Sequence, residues 1–511
     1  MSQDSTTRSG RNGHLARRDV LLGGTAIAAA GALIGLDGLV TPARAQAAPR
    51  PNIVYIVSDD QGWRDAGFNG STEIRTPNLD RLAKTGTVFE QFYALPMCTP
   101  SRATLMTGRY PFRYGLQTGV IPSGGAYGLS LDEYLLPQAL KDAGYRTAMV
   151  GKWHLGHARR EFWPRQRGFD SYYGPLVGEI DHFKHTAHGV VDWYRENSVL
   201  QEEGYDTDLF GAEAVRIIQG HDKQKPLFLY LAFTAPHTPY QAPAAYLETY
   251  KHIADESKRN YAGQITAMDD AIGKVVAALD AAGLRDNTLI VFHSDNGGTR
   301  SAIFTGESAV KGELPPNNGV YRDGKGTLYE GGTRVCGFAN WPGKVPAGRA
   351  KGLVHIADMY PTLTGLAGAR TGKAKPLDGY DMWGHIARGE KSPRTELVYN
   401  VEPFRVAVRQ GDLKLLWVPI LPSRVELYDL AKDPSEKTNI AEKSARQVEK
   451  LKRRAEELAK AAVPPLLMGE MIKTTFSQPP STPKGDEPPA PSANGAAHTK
   501  DFVTDMESGT D

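Results

Sequence analysis

The chain has 511 residues, and 60 Lys plus Arg against 58 Asp plus Glu leave a formal net charge of +2, so no global field favours a nucleic-acid partner. A hydrophobic fraction of 40% with 54 Gly and 34 Pro is that of a loop-rich globular protein with a large core, neither disordered nor fibrous. Two cysteines, Cys98 and Cys336, exclude a disulfide scaffold.

At the N-terminus, Arg17-Arg18 precede Val20-Leu21-Leu22, a Gly- and Ala-rich apolar stretch to Val40, and the small-x-small pattern Ala43-Arg44-Ala45. The pattern predicts a cleavable signal over residues 1–45, read by the twin-arginine export machinery and directing the chain to the periplasm or the exterior. Asp37 interrupts the stretch, which argues against a membrane-spanning helix. No later segment offers about 18 uninterrupted apolar residues, so no stable membrane span is expected.

Four apolar runs follow, at 52–58, 147–150, 227–233 and 288–292, each with strand length and composition. Helix-like segments at 131–143, 209–219 and 261–282 lie between them. Alternating strands and helices predict an α/β fold whose mostly parallel sheet is sandwiched by helices. Each run ends in polar residues: Asp59-Asp60, Lys152 with His154, His237, and Asp295-Asn296. Ligands of such sheets bind beyond the carboxyl ends of the strands, so the four groups converge on one site.

After about residue 385 the pattern changes to short strands at 397–400, 404–409 and 413–418, with Gln410-Gly411-Asp412 turning the last two. A charged helix over 441–462 carries Val448, Leu451 and Leu458 as an apolar stripe for a small antiparallel sheet. The expected organisation is therefore a catalytic domain at 46–385, a small C-terminal α+β domain at 386–465, and a Pro- and Ser-rich, partly disordered tail at 466–511.

Asp59, Asp60, Asp295 and Asn296 offer hard oxygen ligands without the Cys–His spacing of a zinc site, which favours Ca²⁺ or Mg²⁺. Each pair alone reads as a strand-to-loop turn; adjacent carboxylates repel, and a divalent cation removes that cost. In Cys98-Thr99-Pro100-Ser101-Arg102, continuing to Gly108, Pro100 suits a first helical turn, so residue 98 is expected to cap a helix N-terminus whose free N–H groups favour anions. His182, His185 and His188 read as a polar loop at the pocket rim, and Cys336 as a buried strand residue.

The Cys-x-Pro-x-Arg motif at 98–102 resembles that of the type I sulfatases, in which the cysteine is oxidised to formylglycine. The resemblance extends over Pro51–Gly62, Gly151-Lys152-Trp153-His154-Leu155-Gly156, His237, Ser294-Asp295-Asn296-Gly297-Gly298, and Lys325 ahead of Glu330-Gly331-Gly332. Within the family the chain is most similar to N-acetylgalactosamine 4-sulfatases of the arylsulfatase B type, through Arg167-Gly168-Phe169-Asp170, Tyr261-Ala262-Gly263 and Pro376-Leu377-Asp378-Gly379; Glu179-Ile180-Asp181 departs from that pattern.

The resemblance implies an alkaline-phosphatase-like fold, hydrolysis of aryl or sugar sulfate esters, and one Ca²⁺ (or Mg²⁺) held by Asp59, Asp60, Asp295, Asn296 and the converted Cys98. It further implies that the hydrated aldehyde at 98 attacks sulfur and that Asp295 helps activate it. Arg102 and Lys152 would hold the hydrate and the sulfate oxygens. His237 would protonate the leaving alcohol beside Lys325, and His154 would deprotonate the second hydroxyl so that sulfate leaves. A formylglycine-generating maturation enzyme is an implied partner, acting before export of the folded chain. Two other functions fit the same residues: a phosphoester or phosphonate hydrolase of the same superfamily, and a non-catalytic carbohydrate-binding protein on this fold.

Overall fold

The computed structural model describes residues 50–306 and 313–476; the expected signal at 1–45 and the chain beyond Phe476 lie outside the described residues. The strand Asn52–Ser58 is buried along its whole length. Ile53, Tyr55 and Val57 enter one apolar cluster while Val54 and Ile56 enter the other, the two-faced alternation of a strand covered on both sides. This is why its sequence is a continuous apolar run. Leu227–Ala232 and Thr288–Ser294 flank it in parallel, and Arg146–Gly151 and Ser171–Gly174 extend the parallel core beyond Leu227–Ala232.

Both margins turn antiparallel. On one side Gly337–Asn340 pairs with Thr288–Ser294 and with Thr87–Tyr93, which also pairs with Arg334–Val335 and, in parallel, with Gly348–His355; on the other, Tyr194–Arg195 and Ser198–Val199 close the sheet. The result is a mixed sheet, parallel through its centre, between helices. Asp206–Gln219 and Glu256–Ala281 cover one face through Phe210, Ile217, Ile272 and Val275. Leu136–Asp142 and Met359–Ala367 cover the other through Leu140, Met359 and Leu363.

Helix ends differ from expectation for local reasons. The helix expected from 131 begins at Leu136, because Pro137 is tolerated only in a first turn. The helix expected from 261 begins at Glu256, where Asp255 Oδ1 accepts from Lys258 N at 2.7 Å, a cap that precedes a polar first turn without apolar periodicity.

The small sheet has four antiparallel strands, Glu396–Val401, Val406–Gln410, Leu413–Val418 and Arg424–Asp429; the last, bounded by polar residues, was not anticipated. Val406, Val408, Leu415 and Leu427 meet Leu451, Ala455 and Leu458 of the helix Ala445–Ala459. From the opposite face Leu397, Tyr399, Ala407 and Leu416 meet Tyr93, Leu328 and Leu353 of the main body. The stretch expected to open the tail is helical over Leu466–Phe476.

Candidate active site

The strand ends are laced together by backbone bonds: Asp59 N donates to Ala235 O and Asp295 N to Ser58 O, both at 3.0 Å, and Lys152 N to Ala232 O at 2.8 Å. Gly151, at φ 103°, permits this approach, since a Cβ there would stand 1.8 Å from Ala232 O. Beside these ends begins the helix Cys98–Thr107. Cys98 is its first residue rather than its cap: the extended Met97 (φ −143°, ψ 155°) holds the cap position, and Ser101 N donates to Met97 O at 3.1 Å. Pro100 falls in the first turn, where no N–H is needed, and Gly108 ends the helix at φ 67°.

All the candidate residues named from sequence come together here. The buried Cys98 Sγ lies 3.5 Å from Asp59 Oδ1 and 4.0 Å from Asp60 Oδ1. Arg102 donates through Nε and Nη2 to Asp295 Oδ2, at 3.0 and 2.8 Å, and through Nη1 to Lys152 O. Lys152 Nζ is 2.5 Å from Asp59 Oδ2. The cationic ends of Arg102 and Lys152 are thus turned onto the carboxylates, where they orient Asp59 and Asp295. Asp60, in the left-handed region at φ 62°, accepts from Asn296 Nδ2 at Oδ1 (2.8 Å), and from Lys325 Nζ (2.8 Å) and Thr299 Oγ1 (3.0 Å) at Oδ2.

Burial with the neighbouring Asp295 charge pushes the Asp59 carboxyl up to about 7. Burial also opposes ionisation of Asp60, but the Lys325 ammonium holds it below the ordinary carboxylate range. Asp295 is likewise lowered against burial, chiefly by Arg102. Burial and Lys325 bring His237 down to about 3, and burial and Lys152 keep His154 well below its ordinary value, so both imidazoles rest neutral. His237 Nδ1 donates to Thr238 O at 2.7 Å, leaving Nε2 to accept from Lys325 Nζ at 3.2 Å. His154 Nε2 donates to Ile121 O at 3.1 Å, and its buried Nδ1 has no partner.

The residues fit a divalent cation. Asp59, Asp60, Cys98 and His237 hold ligand atoms within 4.8 Å of one another. Both ring nitrogens of His237 are engaged, however, whereas the buried Asn296 Oδ1 has no partner. A buried carbonyl oxygen without a donor is costly, and beside carboxylates it completes the hard oxygen set of a calcium- or magnesium-type site. Asp59, Asp60, Asp295 and Asn296 are the residues that would hold the ion.

Above this cluster opens a cavity lined by Cys98, His154, His237 and Lys325, and by Val120, Ile121, Phe304, Glu179, His188 and Leu467. Of the three histidines expected at the rim, only His188 lines it. His182 is buried, bonded through Nδ1 to Asp206 Oδ2 (2.8 Å) and through Nε2 to His237 O (3.1 Å), and His185 stacks on Trp193 at 4.1 Å between centroids. Cys336 is buried beside the sheet, in the cluster with Phe292 and Phe338.

Sequence reasoning missed Thr299, Gly178 and Leu467. Thr299 continues the Asp295–Gly298 loop and could have been found from that; the other two reach the site only through tertiary packing. The segments that carry the 4-sulfatase resemblance line no part of the cavity. Arg167 caps backbone carbonyls of 129, 130 and 133, Asp378 pairs with Arg113, and Tyr261 bonds Asp65. They hold the scaffold, whereas the divergent Glu179 stands on the cavity wall.

The family model for sulfatases matches residues 51–369. Mouse arylsulfatase J is 37% identical over 471 residues, covering 81% of this chain and 77% of its own, and mouse N-acetylgalactosamine-6-sulfatase is 36% identical over 398 residues, covering 73% of each. The solved structure of Ps i-CgsB in complex with k-i-k-neocarrahexaose is 35% identical with a TM-score of 0.74, covering 82% of this chain and 94% of that one. The chain belongs to the sulfatase family and is a sulfuric ester hydrolase. Among the described residues no helix is long and apolar enough to cross a membrane.

Proposed function

We propose that the chain hydrolyses sulfate monoesters of aryl or sugar alcohols, with Cys98 converted to formylglycine and one Ca²⁺ (or Mg²⁺) held by Asp59, Asp60, Asp295 and Asn296. The observation that carries the reading is the approach of Cys98 Sγ to Asp59 Oδ1 and Asp60 Oδ1, at 3.5 and 4.0 Å, beside the partnerless Asn296 Oδ1. With both groups in place, a cation held by Asp59, Asp60, Asp295 and Asn296 would supply Lewis-acid polarisation of the sulfate oxygens, and the aldehyde hydrate at 98 would supply a hydroxyl for attack on sulfur.

The chain's own side chains do the rest. Arg102 and Lys152 fix Asp295 and Asp59 in a water-poor pocket and balance their charge. His237 rests neutral with Nε2 as an acceptor, so it protonates the leaving alcohol only after Nε2 has taken a proton from Lys325 Nζ, 3.2 Å away, and Lys325 is then reprotonated from solvent. His154, with Nε2–H held by Ile121 O, takes a proton at Nδ1 in the step that frees sulfate. A maturation enzyme would convert Cys98 in the cytoplasm, and the folded chain would leave by the twin-arginine route.

The relatives named arylsulfatase J and N-acetylgalactosamine-6-sulfatase support those two alcohol classes; the 4-sulfate regiochemistry rests on the sequence resemblance alone. Turnover of matched aryl sulfate and aryl phosphate esters tests the reading: the sulfate is preferred if it is right, and preference for the phosphate or phosphonate would replace it. Cys98→Ala is expected to abolish turnover with folding retained; a chain whose biological activity survived that change would be a carbohydrate-binding protein.

A further inference from the structure

After the helix Ala445–Ala459 the chain returns to the loop that follows the Cys98 helix. Three hydrogen bonds clamp it there: Val463 N to Phe112 O and Leu466 N to Gly115 O, both at 2.9 Å, and Gln117 Nε2 to Val463 O at 2.8 Å. The helix Leu466–Phe476 starts from this clamp. Leu466 and Met468 are 36% and 43% exposed, but Leu467 between them is 7% exposed and lines the cavity over Cys98. There it shares an apolar surface with Val120, Ile121, Pro122, Ile303 and Phe304.

The cavity has two chemistries. The charged groups and the cation ligands surround Cys98, so the sulfate of an ester must lie there. The remaining lining, including Leu467, is then left to the alcohol. Among the described residues lining the cavity, Lys325 carries the sole ammonium and is already paired with Asp60, while Glu179 adds a carboxylate. Among the described lining residues, a second anionic group on the alcohol would meet the Glu179 carboxylate, with His188 Nε2 4.0 Å from it, and no Arg or further Lys to pair with.

Resting on the sulfatase reading above, we propose that Leu467 is a specificity-determining residue. The helix that follows the small sheet seals the alcohol-binding part of the pocket and selects esters whose alcohol presents an apolar face over esters bearing further anionic groups.

The test compares the full chain with Leu467→Ala and Leu467→Met on 4-nitrophenyl sulfate, N-acetylgalactosamine 4-sulfate and N-acetylgalactosamine 4,6-disulfate. Leu467→Ala is expected to lower kcat/KM on the aryl ester roughly tenfold, mainly through KM, to change the disulfate by about twofold or less, and to leave the urea midpoint in place; Leu467→Met restores the aryl rate. Calorimetric titration of the Cys98→Ala chain with 2-naphthyl sulfate should show the same roughly tenfold weakening when Leu467→Ala is added. An equal change on all three esters, or none on the aryl ester, overturns the proposal and leaves the sulfatase reading standing. Absence of turnover of every sulfate ester by the matured wild-type chain overturns both.

Discussion

Gly178 lies so close beneath the His154 imidazole that a Cβ added there would stand 2.2 Å from Cε1 and 2.8 Å from Nδ1. His154 is held from above by Ile121 O and sits at φ 58°, an uncommon backbone conformation for a side chain of this kind. The ring therefore has one seat, and glycine at 178 keeps it open. Gly178→Ala is expected to tilt the ring and lower kcat by about 100-fold, the scale of a misplacement near 1 Å, with the circular dichroism spectrum unchanged. Activity within about twofold of wild type would show that Nδ1 of His154 has no part in turnover.

The strand ends were legible because a strand buried on both faces reads as an unbroken apolar run and stops where the chain turns polar. Asn52–Ser58 matched residue for residue, and the chemistry-bearing residues next to the four strand ends follow from that reading. What was illegible is what depends on contact across the fold. Nothing in the local sequence distinguishes Gly178 from a loop glycine or Leu467 from a tail residue. The inward direction of Arg102 and Lys152, toward Asp295 and Asp59, follows from burial of four charges together, which spacing along the chain does not reveal.

The partnerless Asn296 Oδ1 and the crowded carboxylates predict that the cation stabilises the fold. Chelation should lower the thermal midpoint of the Cys98→Ala chain, and Ca²⁺ at 100 times its dissociation constant should restore about 2.7 kcal/mol. Asn296→Ala should reduce that calcium-dependent shift. A midpoint indifferent to chelator and to added Ca²⁺ or Mg²⁺ would exclude a site here.

Lys414, from the small sheet, is fully buried between Glu330, at 3.2 Å, and Glu436, at 2.7 Å, and lies 3.9 Å from the centre of the Tyr399 ring. Tyr93 and Tyr399 also donate to Glu330, at 2.7 and 2.6 Å. Replacing Lys414 with Met leaves the buried Glu436 without its cation and Glu330 with Arg334, 3.5 Å away, and should destabilise the chain by about 3–5 kcal/mol, read from urea unfolding. The loss should also reach the active site, because Glu330 opens the short helix that follows the Lys325 loop. A change below about 1 kcal/mol would mean the network is not a structural tie.

Burial pushes the Asp192 carboxyl up to about 7, against the hydrogen bond it accepts from Val177 N. In the unfolded chain the same group titrates near 3.9. The folded state thus binds the extra proton between about pH 4 and pH 7, so this group makes stability fall as pH rises through that window and adds no slope above it. Asp192→Asn should flatten the decline in urea midpoint from pH 5 to pH 8. A decline unchanged by the substitution would assign it to other buried carboxyls.

The chemical state of residue 98 is the claim on which the mechanism stands. Mass spectrometry of the tryptic peptide ending at Arg102, taken from enzyme that is turning over sulfate esters, measures it directly. The account predicts that the side chain at 98 has lost its sulfur and carries an aldehyde that reacts with a hydrazide. Fully active enzyme whose Cys98 is still a thiol would contradict it.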